Sequence, residues 1–451
     1  MPLTSSDLDR LATEIGLEVG VVGAQIAVLH EGQVVEGSHG VANLDTGVLV
    51  TPDTLFQIGS TTKMHTALLV MQLVEEGRIG LDVSVVEQLP GFAVADAQAT
   101  RTVTPRHLMS MSSGIDNGPY TDFGRGDDAL ARYVEALTDV PVLFEPGEGY
   151  GYSNASTNIS GRLVEHVTGQ TWDCVLRERL LEPAGLVHSA TSAEEVIWRR
   201  HSLGHTGGDA PAVLPHWSLP RSMGPAGGTL CQSAGDLARF AAIFLNGGTA
   251  RNGTRILDGG SVQQMQANQV DVPPTLLADW WGLGPYGKIW DGTPVVGHSG
   301  TNRAGSSYLL WAPERDVAVA TVVNCPAYGY PFAKKAFAEL FASLAGIAVP
   351  TSPQPPAHVE YDGSRLVGSY VMSGIRFEVA RSDGGLTLAG ATFGGETFEP
   401  GRLVPLTPTT FLPTDPAVDG RRGWAVAFLG PDDQPATHLL NGFFAMRRVA
   451  A

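Results

Sequence analysis

Apolar residues recur at helical spacing near the amino terminus, at Leu8, Leu11 and Ile15, and predict a short amphipathic helix. The pattern then switches to strand-like runs, Ala24 to His30 and Gln33 to His39, whose junction at Glu31-Gly32 predicts a hairpin. Ala42 to Gly47 carries the Asn, Asp and Gly punctuation of a turn. From Met64 to Leu73 the chain is apolar and helix-forming, and that periodicity ends at Gly77 and Gly80. Further helices are predicted over Asp127 to Leu137, Thr157 to Thr168 and Ser233 to Leu245, the last with Ser233 as cap and Asp236 in its first turn. Strands are predicted over Val295 to Thr301, Ser306 to Trp311 and Val317 to Asn324. Between Val270 and Trp290 the pattern reads as a loop carrying Trp280, Trp281, Tyr286 and Trp290, aromatics that either line a cleft or pack on the core.

Beyond Leu344 the pattern changes again. Pro350-Thr351-Ser352-Pro353-Gln354-Pro355-Pro356 reads as a stiff, extended linker. Short strand-like runs separated by turn signals follow, at Gly368 to Met372, Ile375 to Ala380, Gly385 to Leu388, Thr397 to Glu399, Thr410 to Pro413, Ala425 to Leu429 and His438 to Arg447. They predict a small antiparallel barrel. The expected organisation is therefore a domain over 1–345, a linker over 346–360 and a barrel domain over 361–451.

Composition narrows the function. A chain of 451 residues, 43% hydrophobic, can bury a sizeable core. Its net charge of -17, with no basic run of five or more, argues against nucleic acid or an anionic membrane as partner. Cys174, Cys231 and Cys325 are odd in number and widely spaced, which suggests neither a disulfide framework nor a zinc site. The amino terminus lacks a basic segment followed by an apolar one, and no stretch is long enough to span a bilayer, so a cytoplasmic protein is expected.

Three segments carry candidate chemistry. In Ser60-Thr61-Thr62-Lys63, at a helix start, hydroxyl and amine share one helical face. A serine needs such a base to become a nucleophile, and a lysine serves only if its pKa is lowered. Tyr152-Ser153-Asn154 precedes a helix and can aim a phenol and a carboxamide into a cleft. His298-Ser299-Gly300-Thr301 lies on a strand whose close glycines suggest approach of a ligand or another backbone. Each segment alone reads better as structural: an N-cap serine with a surface lysine, a packed tyrosine with an N-cap asparagine, a packed strand histidine. His107, after Thr104-Pro105, reads as structural, and the Gly-rich turn Met223 to Leu230 lacks the lysine of a phosphate loop.

Together, in this order and spacing, the three segments resemble the penicillin-recognising serine hydrolases: serine β-lactamases, penicillin-binding proteins and their esterase and aminopeptidase relatives. Ser60 to Lys63 matches Ser-x-x-Lys, Tyr152 to Asn154 looks like the Tyr-x-Asn element, and His298 to Gly300 looks like the His-x-Gly variant of Lys-Thr-Gly. The resemblance covers about residues 8 to 345. It implies a β-lactamase/transpeptidase-like α/β fold, an antiparallel sheet flanked by helices with a helical subdomain, and the terminal segment resembles the lipocalin-like barrel of some relatives.

The resemblance also implies roles. Ser60 would form an acyl-enzyme, Lys63 would be its base with Tyr152 in the proton relay, and Asn154 would hold a substrate amide. His298 would stand in for the family lysine. Ser299, Gly300 and Thr301 would line the substrate, with the Ser60 and Thr301 amides as oxyanion hole. Trp281 is a candidate cleft aromatic, and Arg447 with Arg448 a candidate for a substrate carboxylate. No cofactor and no metal are expected. A histidine in place of a permanent cation weakens a β-lactamase reading. The resemblance points instead to the penicillin-binding-protein-type thioesterases, which take a nonribosomal peptidyl thioester with a D-residue from a carrier protein and cyclise it. The alternative is a cytosolic esterase or D-amino-acid peptidase acting on a small ester or peptide.

Overall fold

The three apolar strand runs and the amino-terminal hairpin join into one sheet. In the computed structural model, which describes residues 3–391, 397–414 and 424–449, nine strands pair among the described residues. Their spatial order is Val48–Leu49, Gln33–Asn43, Gly23–His30, Val317–Val323, Ser306–Ala312, Thr293–Thr301, Tyr286–Trp290, Trp280–Trp281 and Val270–Asp271. The pairings are antiparallel. Val317–Val323 lies near the middle and is buried at every position, which is why it reads as an apolar run interrupted only by Thr321. The helix Ala234–Leu245 packs on this strand, as does Gly329–Ala345, which also meets the first helix, Ser5–Val19. That first helix starts at a Thr4 and Asp7 capping box and stops at Gly20, whose φ of 85° is left-handed.

The helix Thr62–Glu75 is apolar nearly all round and correspondingly buried nearly all round. It packs against the helix Asn154–Thr168, so the Ser60 and Tyr152 segments enter adjacent helices. The 270–290 segment departs from the expected loop: it forms the last three strands of the sheet, two of them only two residues long. Runs that short carry no period-two signal.

At the carboxyl end, eight strands form a closed barrel among the described residues. The expected single run His438 to Arg447 is two strands, His438–Asn441 and Phe444–Val449. Asn441 pairs with Phe444, so the two residues Gly442-Phe443, with Gly442 at φ 58°, make the tight hairpin turn between them. Tyr370, Phe411, Phe428 and Leu439 fill the barrel. The outer side of the barrel packs on the rest of the chain: Ala427, Leu440 and Ala445 share an apolar cluster with Tyr152 and Trp281. Polar contacts reinforce the seam. Ser373 donates to the buried Asp116 carboxylate from its amide and its hydroxyl, each at 2.8 Å, and Ala425 N–H donates to Thr275 O at 2.8 Å. No helix among the described residues is long and apolar enough to cross a membrane.

Candidate active site

Ser60 sits in a 3-10 turn, Gly59–Thr61, that runs directly into the helix Thr62–Glu75. Two anchors hold the turn against the sheet. Thr61 Oγ1 pairs with Ser307 Oγ at 2.7 Å, and Ser307 Oγ donates to Ile58 O at 2.6 Å. Backbone meets backbone here. A Cβ on Gly300 would lie 1.9 Å from Ile58 O and 2.6 Å from Ser60 N, and one on Gly59, whose φ is 55°, would lie 2.7 Å from Thr301 N. Glycine at both positions is what lets the strand end approach the nucleophile turn. The amides of Ser60 and Thr301 are thereby brought to the same place.

Lys63 is 1% exposed. Its Nζ is 3.1 Å from Ser60 Oγ, and it donates to Asn154 Oδ1 and to Ala226 O, both at 2.6 Å. Burial holds the amine well below its ordinary pKa of 10.5. A neutral amine has two N–H groups and one lone pair. Two acceptor-only carbonyl oxygens take the two protons, which leaves the lone pair facing the Ser60 hydroxyl. This is the geometry a general base for serine requires.

Tyr152 packs beside the pair, with Lys63 Nζ 4.8 Å from its ring centre. Burial pushes its phenol above the ordinary value, and a hydrogen bond with Ser60 opposes that shift only in part. The phenol thus stays protonated, a donor beside Ser60 and not a phenolate. Asn154 is engaged at both ends: its Oδ1 accepts from Lys63 and its Nδ2 donates to Tyr120 Oη at 2.9 Å. It orients the base as much as it offers itself to a substrate amide.

His298 lies behind the reacting groups. It is fully buried, its Nδ1 is 2.5 Å from Ser299 O, and Nε2 has no hydrogen-bond partner among the described residues. Trp281, Tyr286 and Tyr152 surround its ring, at centroid separations of 5.4, 5.6 and 6.4 Å. Burial, aided by the nearby Lys63, lowers its pKa to about 3, so the imidazole is neutral at ordinary pH. It cannot supply the cation that a lysine would bring there. Trp281, also fully buried, supports Tyr152 and His298 from behind and does not line the cleft.

The cleft over Ser60 holds about 450 Å³. Tyr152, Asn154, Ser299, Gly300 and Thr301 line it. Arg447 does not: it borders a separate cavity with Asp96, Glu145 and His438. The strand explains the displacement, because Arg447 follows Ala445 by two residues on the outward face and is carried about 7 Å further along. Sequence reasoning missed Tyr120, Ala226 O as an acceptor, and the barrel residues Trp424, Phe443 and Phe444, which roof the cleft. Phe443 O also accepts from Tyr152 N–H at 3.2 Å. The Asn441-Gly442 turn signal next to two phenylalanines could have flagged that tip. His107 is structural as expected, capping its helix with Thr104.

The profile of the β-lactamase family matches residues 8–342. The chain belongs to the β-lactamase family. Penicillin-binding protein 4 of Amycolatopsis lactamdurans is 40% identical over 380 residues, covering 83% of this chain and 99% of that protein. Protein flp of Staphylococcus aureus (strain MW2) is 24% identical over 341 residues, and the match spans 71% of this chain but 64% of that one. Among solved structures, SurE aligns with a TM-score of 0.79 at 26% identity over 99% of both chains. SurE with D-Leu aligns with a TM-score of 0.75 at 25% identity over the same share. This β-lactamase family member is a serine acyl-transferase or hydrolase.

Proposed function

We propose that the chain is an off-loading peptide cyclase. It takes a peptidyl thioester with a D-residue at the acyl end from a carrier protein and releases a head-to-tail macrolactam. In this reading Ser60 Oγ attacks the thioester carbonyl while its proton passes to Lys63 Nζ. The Ser60 and Thr301 amides hold the oxyanion, and the departing thiolate takes the proton back from Lys63. The peptide's own amine then attacks the Ser60 ester. Its proton returns, through Lys63 and the Tyr152 phenol, to Ser60 Oγ as the leaving group. Tyr120 and Asn154 keep Lys63 aimed.

The observation that carries the reading is the roof. Phe443, Phe444 and Trp424 stand over Ser60 and Tyr152, apolar surface where a hydrolase would admit water to the ester. The alignment with SurE, solved with D-Leu, runs over 99% of both chains and supports a D-residue at the acyl position. We assign residues 1–345 to acyl transfer, 346–360 to a linker and 361–451 to the shielding barrel. Its action is assigned to the cytoplasm, where carrier-bound peptides are assembled.

The test is the product from a synthetic peptidyl thioester ending in a D-residue, with a pantetheine mimic as leaving group. The expected product is lighter than the linear acid by one water and absent with Ser60→Ala. Linear acid alone, across several peptides, would make the protein an esterase or D-specific peptidase.

A further inference from the structure

A second cavity lies against the cleft on the other side of Ser299. It holds about 260 Å³, and Ser299, Tyr308 and Trp424 border both spaces. Strand geometry connects the two. Thr293–Thr301 pairs with Tyr286–Trp290 only as far as Gly297 opposite Tyr286, so residues 298–301 run on beyond that partner beside Ser60. An acyl chain extended along this free edge can send a side chain past Ser299. Alternate residues of the neighbouring strand, Tyr286, Lys288 and Trp290, line the cavity.

Lys288 is the distinctive group. Its Nζ sits 5.9 Å from the Tyr286 ring centre and 3.5 Å from Leu276 O, too long for a good hydrogen bond. Among the described residues no carboxylate lies within salt-bridge distance of it: Asp279, which borders the cavity and bonds to the strand on either side of Lys288, accepts Ile289 N–H at 2.6 Å and donates its own N–H to Gly287 O at 2.9 Å. Lys334 adds a second cation, held to Ser352 Oγ at 3.2 Å. Burial lowers Lys288 to about 8, with Asp279 opposing, so the amine is still mostly protonated at neutral pH. The space is thus walled by aromatic rings and carries more cations than anions, in a chain of net charge -17. An unpaired cation with free N–H groups in such a wall is completed by an anion.

We propose that this cavity is a side-chain subsite of the cleft that takes an acidic residue of the acyl peptide, with Lys288 as its carboxylate partner and the aromatic walls around its methylenes. The inference rests on the acyl-enzyme reading for its substrate but not for its test. Matched peptides differing only in glutamate or glutamine near the D-residue are compared in two ways. As pantetheine thioesters, their kcat/KM values for acylation of Ser60 give a ratio. As unreactive N-methylamides, their affinities by calorimetry give a second ratio that needs no acyl transfer. Both ratios are expected to favour glutamate by about tenfold or more. Lys288→Gln is expected to bring them near unity, and Lys288→Glu to invert them in favour of the glutamine peptide. A wild-type ratio near one, or a ratio that survives Lys288→Gln, overturns the proposal. Calorimetric preference without any acylation would sink the cyclase and keep the subsite, and acylation without preference would do the reverse.

Discussion

Lys63 shows how one buried side chain ties stability to chemistry. To serve as the proposed base its amine must shed a proton, and burial favours this by making the charged form costly. In the unfolded chain the lysine keeps its proton up to about 10.5, whereas in the fold it loses it well below that. Between those two values the unfolded state binds more protons, so stability rises with pH across that window and levels off above 10.5. Lys63→Met has no such proton to lose. The unfolding free energy of the wild type minus that of Lys63→Met should therefore grow as the pH rises toward 10.5 in urea titrations. A flat difference would mean that Lys63 stays charged in the fold and is not the base.

At the scale of elements, the site is a meeting of three segment ends, and glycine makes the meeting close enough. Gly300→Ala would push its Cβ into Ile58 O at 1.9 Å, so the strand end and nucleophile turn must part. Acylation of Ser60, followed by intact mass, should slow by about a hundredfold. Gly260→Ala, where a Cβ meets nothing within 4 Å, should leave it unchanged. Much of this geometry was legible in the sequence. Ser60 and Lys63 are one helical turn apart, and 3.1 Å is what that spacing delivers. The hairpin, the long helices and the Val317–Val323 run followed from periodicity because each buries a face, or both faces, of a regular element. Trp281 was not legible as a buried support, because a two-residue strand has no periodicity and its burial depends on Tyr152, His298 and Tyr286 arriving from distant segments. Tyr120 was missed for a similar reason: only the fold brings it to Asn154, 34 positions away.

At the scale of the whole molecule, the barrel is part of the site and not an appendage. Its hairpin tip supplies the carbonyl that holds Tyr152 N–H and the rings that roof the cleft, while Ser373 grips Asp116. Asp116 precedes Asn117, whose Oδ1 accepts from Asn154 N–H at 2.9 Å, so the barrel braces the Tyr152 and Asn154 segment from two sides. In the proposed cyclase the acyl-enzyme ester would face two competing nucleophiles, the tethered amine and water, and the roof would act against water. Phe444→Ala removes a ring that meets Tyr152 edge-on at 5.5 Å while leaving the Phe443 carbonyl in place. The base, the nucleophile and the oxyanion amides are untouched by this change, so the ester should still form. Its fate should change: the ratio of cyclic product to linear acid, read by mass from one thioester, should fall several-fold. An unchanged ratio would assign water exclusion to something other than the barrel, and loss of the acyl-enzyme itself would make Phe444 a support of Tyr152.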